Sequence, residues 1–140
     1  MKPYELVSVS NGGGRLHVQL KAIARFGHSH ELFEEIRQMA VAANATELLI
    51  DTSAFKGKLS VMQRLQMILA FVANLRGYRV AGVISKETID PQRLGETMAR
   101  NRGANVRVFT CMAEAIQLLD GARPSTPGWP NSADTGAAQT

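Results

Sequence analysis

The strongest constraint in this chain is a short apolar run leading directly into a long, unbroken helix-forming stretch. Residues 46–53 (TELLIDTS) read as a strand, residues 54–59 (AFKGKL) as a loop, and residues 60–76 (SVMQRLQMILAFVANLR) as a helix. Leu48, Leu49 and Ile50 are consecutive and apolar, the pattern of a strand covered on both faces. Ser60 stands at the N-cap position, and the sixteen residues after it contain neither Pro nor Gly. Val61, Leu65, Ile68, Leu69, Val72 and Leu75 recur at helical spacing and predict a broad buried stripe, extended by Met62, Met67, Ala70, Phe71 and Ala73. Residues 79–85 (RVAGVIS) supply a second strand. The three segments make a βαβ unit whose strands are parallel, joined by a right-handed crossover.

The flanking chain completes a layered pattern. Residues 4–10 form a strand, Asn11 and the glycines to Gly14 form a turn, and residues 15–22 alternate cleanly. Leu16, Val18 and Leu20 share one face of that second strand, while Arg15, His17, Gln19 and Lys21 share the wet one. An antiparallel hairpin follows, since Gly enters positive φ freely and Asn tolerates it. A phosphate-cradling role for the glycines would need a helix immediately after them, and a strand comes instead. Residues 28–44 predict a helix with Ser29 as N-cap, Glu31 and Glu34 near its positive end, and Leu32, Phe33, Ile36, Met39, Ala40 and Ala43 buried. Asp90 and Pro91 open another helix as cap and first residue, with Leu94, Met98 and Ala99 inward and Gly103 at its end. Residues 105–110 are the last strand, and residues 112–119 the last helix, stopped by Gly121. The order ββαβαβαβα predicts an α/β fold: a five-stranded mixed, mostly parallel sheet with an N-terminal antiparallel hairpin and helices packed mainly on one face.

The 140 residues suit one domain over residues 1–121, with a Pro-, Ser- and Gly-rich tail over residues 122–140 that carries Trp129 and has no periodic apolar pattern. No run of 18 apolar residues is present, and residues 1–10 lack the apolar core of a signal peptide. Cys111 is the only cysteine, which excludes an internal disulfide and suits a reducing, cytoplasmic setting. The net charge of +4 is modest, and its basic residues are spread along the chain among acids. That distribution fits a solvated surface and does not point to nucleic acid.

The run LLIDTSAFKG with its helix, then YRVAGVI, then ARNRGANVRVFTCMAEAIQLL resembles the STAS superfamily, and within it the branch named after the bacterial anti-sigma-factor antagonist SpoIIAA. The resemblance covers residues 4–121. It implies a five-stranded sheet with helices mainly on one side, no cofactor, and a role in regulation or protein binding. The family's antagonists carry Asp-Ser-Ser/Thr-Gly at the helix after the third strand, where a kinase phosphorylates a serine. Residues 56–60 (KGKLS) stand there instead. Ser60 is the nearest hydroxyl, in a place that favours phosphate but also serves as N-cap, so the phospho-switch does not carry over.

Other chemistry is sparse. His28 and His30 make a His-x-His pair, yet no cysteine or acidic cluster joins them at ligand spacing, and no metal site is expected. Cys111 precedes a helix without an evident base. Asp51 ends the central strand at the sheet edge where open α/β sheets place ligands, with Thr52, Ser53 and Lys56 nearby, though capping a loop is its plainer role. No Walker motif, nucleophile elbow or paired carboxylates occur, and an enzyme is not expected. Lys56, Lys58 and Arg64 make an anion-friendly patch at the start of the long helix, and Met67 and Phe71 sit partly away from its main stripe. These residues with Ser60 are the candidate partner-binding set. Three roles follow for so apolar a helix: simple burial, a homodimer surface, or one wall of a pocket for a lipid-like or other apolar ligand.

Overall fold

The chain runs through β1 (Tyr4–Gly12), β2 (Arg15–Ile23), α1 (Ser29–Ala43), β3 (Glu47–Asp51), α2 (Val61–Leu75), β4 (Arg79–Val83), α3 (Leu94–Asn101), β5 (Asn105–Phe109) and α4 (Met112–Ala122). A computed structural model describes residues 4–23, 28–90 and 92–122. The tail with Trp129, the connection at residues 24–27, and Pro91 as first helical residue lie outside the described residues. Among the described residues there is one five-stranded sheet, its spatial order the same as its order in the chain. β1 and β2 are antiparallel, and every later neighbour pair is parallel. Gly13 and Gly14, at φ 63° and 82°, form the two-residue turn that closes the hairpin.

β3 is the central strand, and all five of its residues are buried. Side chains alternate across it, so register assigns each row of the sheet to one face. Leu16, Leu48, Val80 and Val106 align in one row. They pack against Ile36 of α1, Leu75 of α2 and Ala99 of α3 in the main core. On the opposite face Leu49, Ala81 and Val83 meet Ala115 and Leu119 of α4. Among the described residues, three helices therefore cover one face and a single helix the other. The expected α/β architecture is the one observed.

Several local expectations are corrected. α2 is turned about its axis relative to the stripe read from spacing: Ile68, Ala70, Phe71 and Leu75 are buried, whereas Val61 is 85% and Leu69 46% exposed. Fifteen residues with so few polar positions present no single apolar face, so packing selects the rotation. Phe71 settles against the Phe33 ring of α1. In α1, Ser29 is the first helical residue; His28 holds the cap position without a side-chain cap bond, and Asn44 ends the helix at φ 59°. α3 begins at Leu94, because Arg93 adopts a left-handed conformation (φ 55°). Asp90 still caps it, its carboxylate accepting the Leu94 N–H at 2.8 Å. Leu94 itself points outward, 53% exposed. Gly103 (φ 92°) closes α3, the Ala104 N–H returning to the Ala99 carbonyl. Gly121 does not stop α4, which continues to Ala122.

Candidate functional site

The carboxyl ends of β3, β4 and β5 and the first turns of α2 and α3 meet at one edge of the sheet, where α/β folds commonly place ligands. The β3–α2 connection at this edge is held firmly. Asp51 accepts the Ser53 N–H at 2.9 Å and the Ser53 hydroxyl at 2.6 Å, the loop-capping role. Thr52 donates its backbone N–H and its hydroxyl to the Val83 carbonyl. Two buried hydroxyls on the β4–α3 connection fasten the far half: Ser85 donates to the Phe55 carbonyl at 3.0 Å, and Thr88 to the Gly57 carbonyl at 2.6 Å. Leu59, next in the loop, is buried as well. Ser60 then caps α2 reciprocally, accepting the Gln63 N–H while Gln63 Oε1 accepts the Ser60 N–H.

Lys56 and Lys58 stand exposed on this pinned loop, with Ser60 beside them. Arg64, half-buried one turn into α2, has no hydrogen-bond or ion-pair partner among the described residues. Met67 is half-buried and packed against the main core. Phe71 is interior, its ring 5.5 Å from that of Phe33, so it shares no surface with the two lysines. The outer face of α2 carries residues that spacing had assigned to the core or its margin. Val61, Met62 and Leu69 are 85%, 61% and 46% exposed, with half-buried Leu65 and Val72 between them. The only sequence signal for this face was the helix's excess of apolar residues over what one stripe needs.

Beneath α2 and α3 lies a half-open cavity of about 150 Å³. Ile50, Gly82 and Val108 of adjacent strands form its floor in one register row. Met67, Ile68, Phe71 and Ala99 form its walls, and Arg64, Asp90, Arg93 and Glu96 its rim. Gly82 is what opens it: a Cβ there would meet nothing nearer than the Ile50 carbonyl oxygen at 4.0 Å. Gly95 seals the far side, since a Cβ on it would come within 3.1 Å of Ile68 Cδ1. At the rim, Glu96 is nearly buried and bridged by Arg93 and Arg107, each at 3.3 Å. Arg93 also donates to the Val108 carbonyl.

The histidines do not converge. Nδ1 of His28 lies 2.6 Å from Glu31, and Nδ1 of His30 lies 3.4 Å from the Asn74 amide nitrogen. Among the described residues no three His, Cys, Asp or Glu side chains are grouped to hold a metal. Alternation puts His17 on the wet face, yet it is half-buried and its Nε2 is enclosed without a partner. Burial pushes its pKa down, against an opposing pull from Asp51. Cys111 is exposed ahead of α4. On the same face as His17, Glu47 is clamped between Arg15 at 2.8 Å and Arg79 at 3.2 Å, and Arg15 reaches on to Asp120 of α4 at 2.7 Å. That row ties α4 to the sheet.

Among the described residues no helix is long and apolar enough to cross a membrane. No protein-family model matches this chain, and no curated protein does.

Proposed function

We propose that this chain is a regulatory, protein-binding domain of the STAS type, SpoIIAA-like and cytoplasmic, that works by contact and not by turnover. The observation that carries the reading is the two-sided apolarity of α2: its inner face completes the core, and its outer face presents Val61, Met62 and Leu69 to solvent. A contiguous apolar stripe on one helix, beside exposed Lys56 and Lys58, suits a partner segment that is itself apolar and flanked by acids. The loop that displays the lysines is pinned by Ser85 and Thr88, so little ordering is needed on binding. A five-stranded sheet with three helices on one face is compatible with the STAS resemblance. Ser60 acts here as an N-cap and not as a phosphorylated switch, and no cofactor enters the reading.

The test is affinity capture from the native organism with wild-type protein and with a Met62→Asp/Leu69→Asp variant of unchanged fold. A partner held by the first and lost by the second supports the reading; equal recovery on both removes α2 from the contact. Sedimentation of the pure protein at micromolar concentrations decides whether a second copy is that partner.

The cavity favours a second reading, carriage or sensing of a small apolar ligand between α2 and the sheet. Native mass spectrometry of protein purified from cells tests it: a copurified small molecule supports carriage, and a bare chain counts against it.

A further inference from the structure

The cavity between α2, α3 and the sheet has a specific origin and a specific charge at its mouth. Gly82 lies within the sheet on the face that α1, α2 and α3 cover, and it is the accessible position of β4 on that face, where Val80 is buried. Ile50 and Val108 flank it in register, and a branched side chain at Gly82 would complete the layer they begin. Glycine inside a strand gives up packing and backbone order, and it often marks a close approach by a ligand. Here it leaves about 150 Å³, on the scale of a space that holds one benzene ring.

The rim charges are unequally satisfied. Glu96 is neutralised by Arg93 and Arg107, and the Asp90 carboxylate is engaged at the start of α3. Arg64 alone among the rim residues has no polar partner among the described residues, and its stem lies beside Gly95. A guanidinium next to an apolar hollow is matched best by a planar carboxylate, which accepts two of its N–H groups. The N-terminus of α2 opens toward the same edge and adds to the favourable potential for an anion, whereas that of α3 is already taken by the Asp90 carboxylate.

We infer that this cavity receives a compact organic acid, a single ring or short branched aliphatic body lying over Gly82 with its carboxylate paired to Arg64. The inference rests on the small-ligand reading above and names its chemical class. Only a compact body of that size is enclosed by the walls. Pairing with Arg64 also joins the ligand to the first turns of α2, the helix whose outer face carries the exposed apolar stripe.

Amide NMR titration with benzoate, benzylamine and toluene tests this, the three probes sharing a body and differing in charge. Benzoate is expected to shift the amides of Met67, Gly82 and Gly95 and to saturate, with benzylamine at least about tenfold weaker. Arg64→Met is expected to weaken benzoate by about tenfold or more while leaving toluene unaffected. Gly82→Val fills the floor and is expected to abolish both, with Gly82→Ala as the milder variant if the larger side chain disturbs the spectrum. Toluene binding with no preference for benzoate over benzylamine, or benzoate binding indifferent to Arg64→Met, overturns the acid while leaving the small-ligand reading intact. Failure of every probe to bind overturns both.

Discussion

Phe71 of α2 meets Phe33 of α1 edge-on, ring centroids 5.5 Å apart and planes 82° to each other. This pair decides which side of α2 faces the sheet. With Phe71 turned inward, Ile68 and Leu75 follow it into the core, and Val61, Met62 and Leu69 are carried out to the surface. Phe71→Ala is therefore expected to cost about 3–5 kcal/mol of folding stability, as large aromatic deletions in a core do. Met62→Ala, on the exposed side, is expected to change stability by about 0.5 kcal/mol or less. Urea denaturation of both variants checks the rotation of α2 directly; the reverse order would refute it.

Ser60 and Gln63 satisfy each other's backbone N–H groups at the start of α2. Ser60→Ala removes one half of this exchange and is expected to destabilise by about 1 kcal/mol, whereas Ser60→Gly loses only a few tenths. Aspartate should retain most of the cap, since its carboxylate also accepts an amide and favours the helix N-terminus. Thermal melts of the three variants rank them.

Thr88 Oγ1 and Ser85 Oγ hold the carbonyls of Gly57 and Phe55 from a buried position. Thr88→Val preserves shape but leaves the Gly57 carbonyl without that donor, at an expected cost of about 1–3 kcal/mol. The local consequence is more diagnostic than the global one. Hydrogen exchange at residues 55–59 should accelerate well beyond that of β3, because the loop is released while the sheet remains.

A half-buried histidine and a buried tyrosine predict the pH limits of stability. Partial burial disfavours the charged form of His17, outweighing the pull of Asp51, so its pKa in the folded chain lies below its ordinary 6.5. As pH falls through 6.5 the unfolded chain takes up this proton first; stability contributed by His17 is full above 6.5 and declines below it. His17→Gln should flatten that part of the acid limb. At the other end, burial and the bond to Glu35 raise Tyr4 from 10.0 to about 12. The unfolded chain then loses its proton first, so stability falls as pH rises from 10.0 toward 12. Tyr4→Phe should remove that alkaline decline. Denaturant midpoints across the pH range measure both.

Much of this architecture is legible one segment at a time. Leu48–Ile50 could be placed mid-sheet because three consecutive apolar residues need cover on both faces. The glycines at 13 and 14 mark their turn because positive φ strains other residues. Ser60 was recognisable as a cap from its place before an unbroken helical run. Local signals were misleading where a residue had two compatible states. Ser29 can cap or begin a helix, Asp90 can cap across a three-residue turn as well as directly, and Gly121 can end a helix or ride in its last turn. The candidate site was only partly readable for the same reason. Lys56, Lys58 and Arg64 read as a basic group from sequence, but nothing in their spacing reveals that Arg64 overhangs a hollow.

What the amino-acid order determined by itself is the succession of strands and helices and, through hydrophobic alternation and turn chemistry, the mixed sheet they build. What only tertiary packing decided is the rotation of α2, the closure of α3 over the sheet edge, and the empty space above Gly82. Periodicity reports how apolar a face is, and α2 is apolar on two. The choice between them comes from neighbours distant in sequence, Phe33 for the helix and Ile50 with Val108 for the glycine between them.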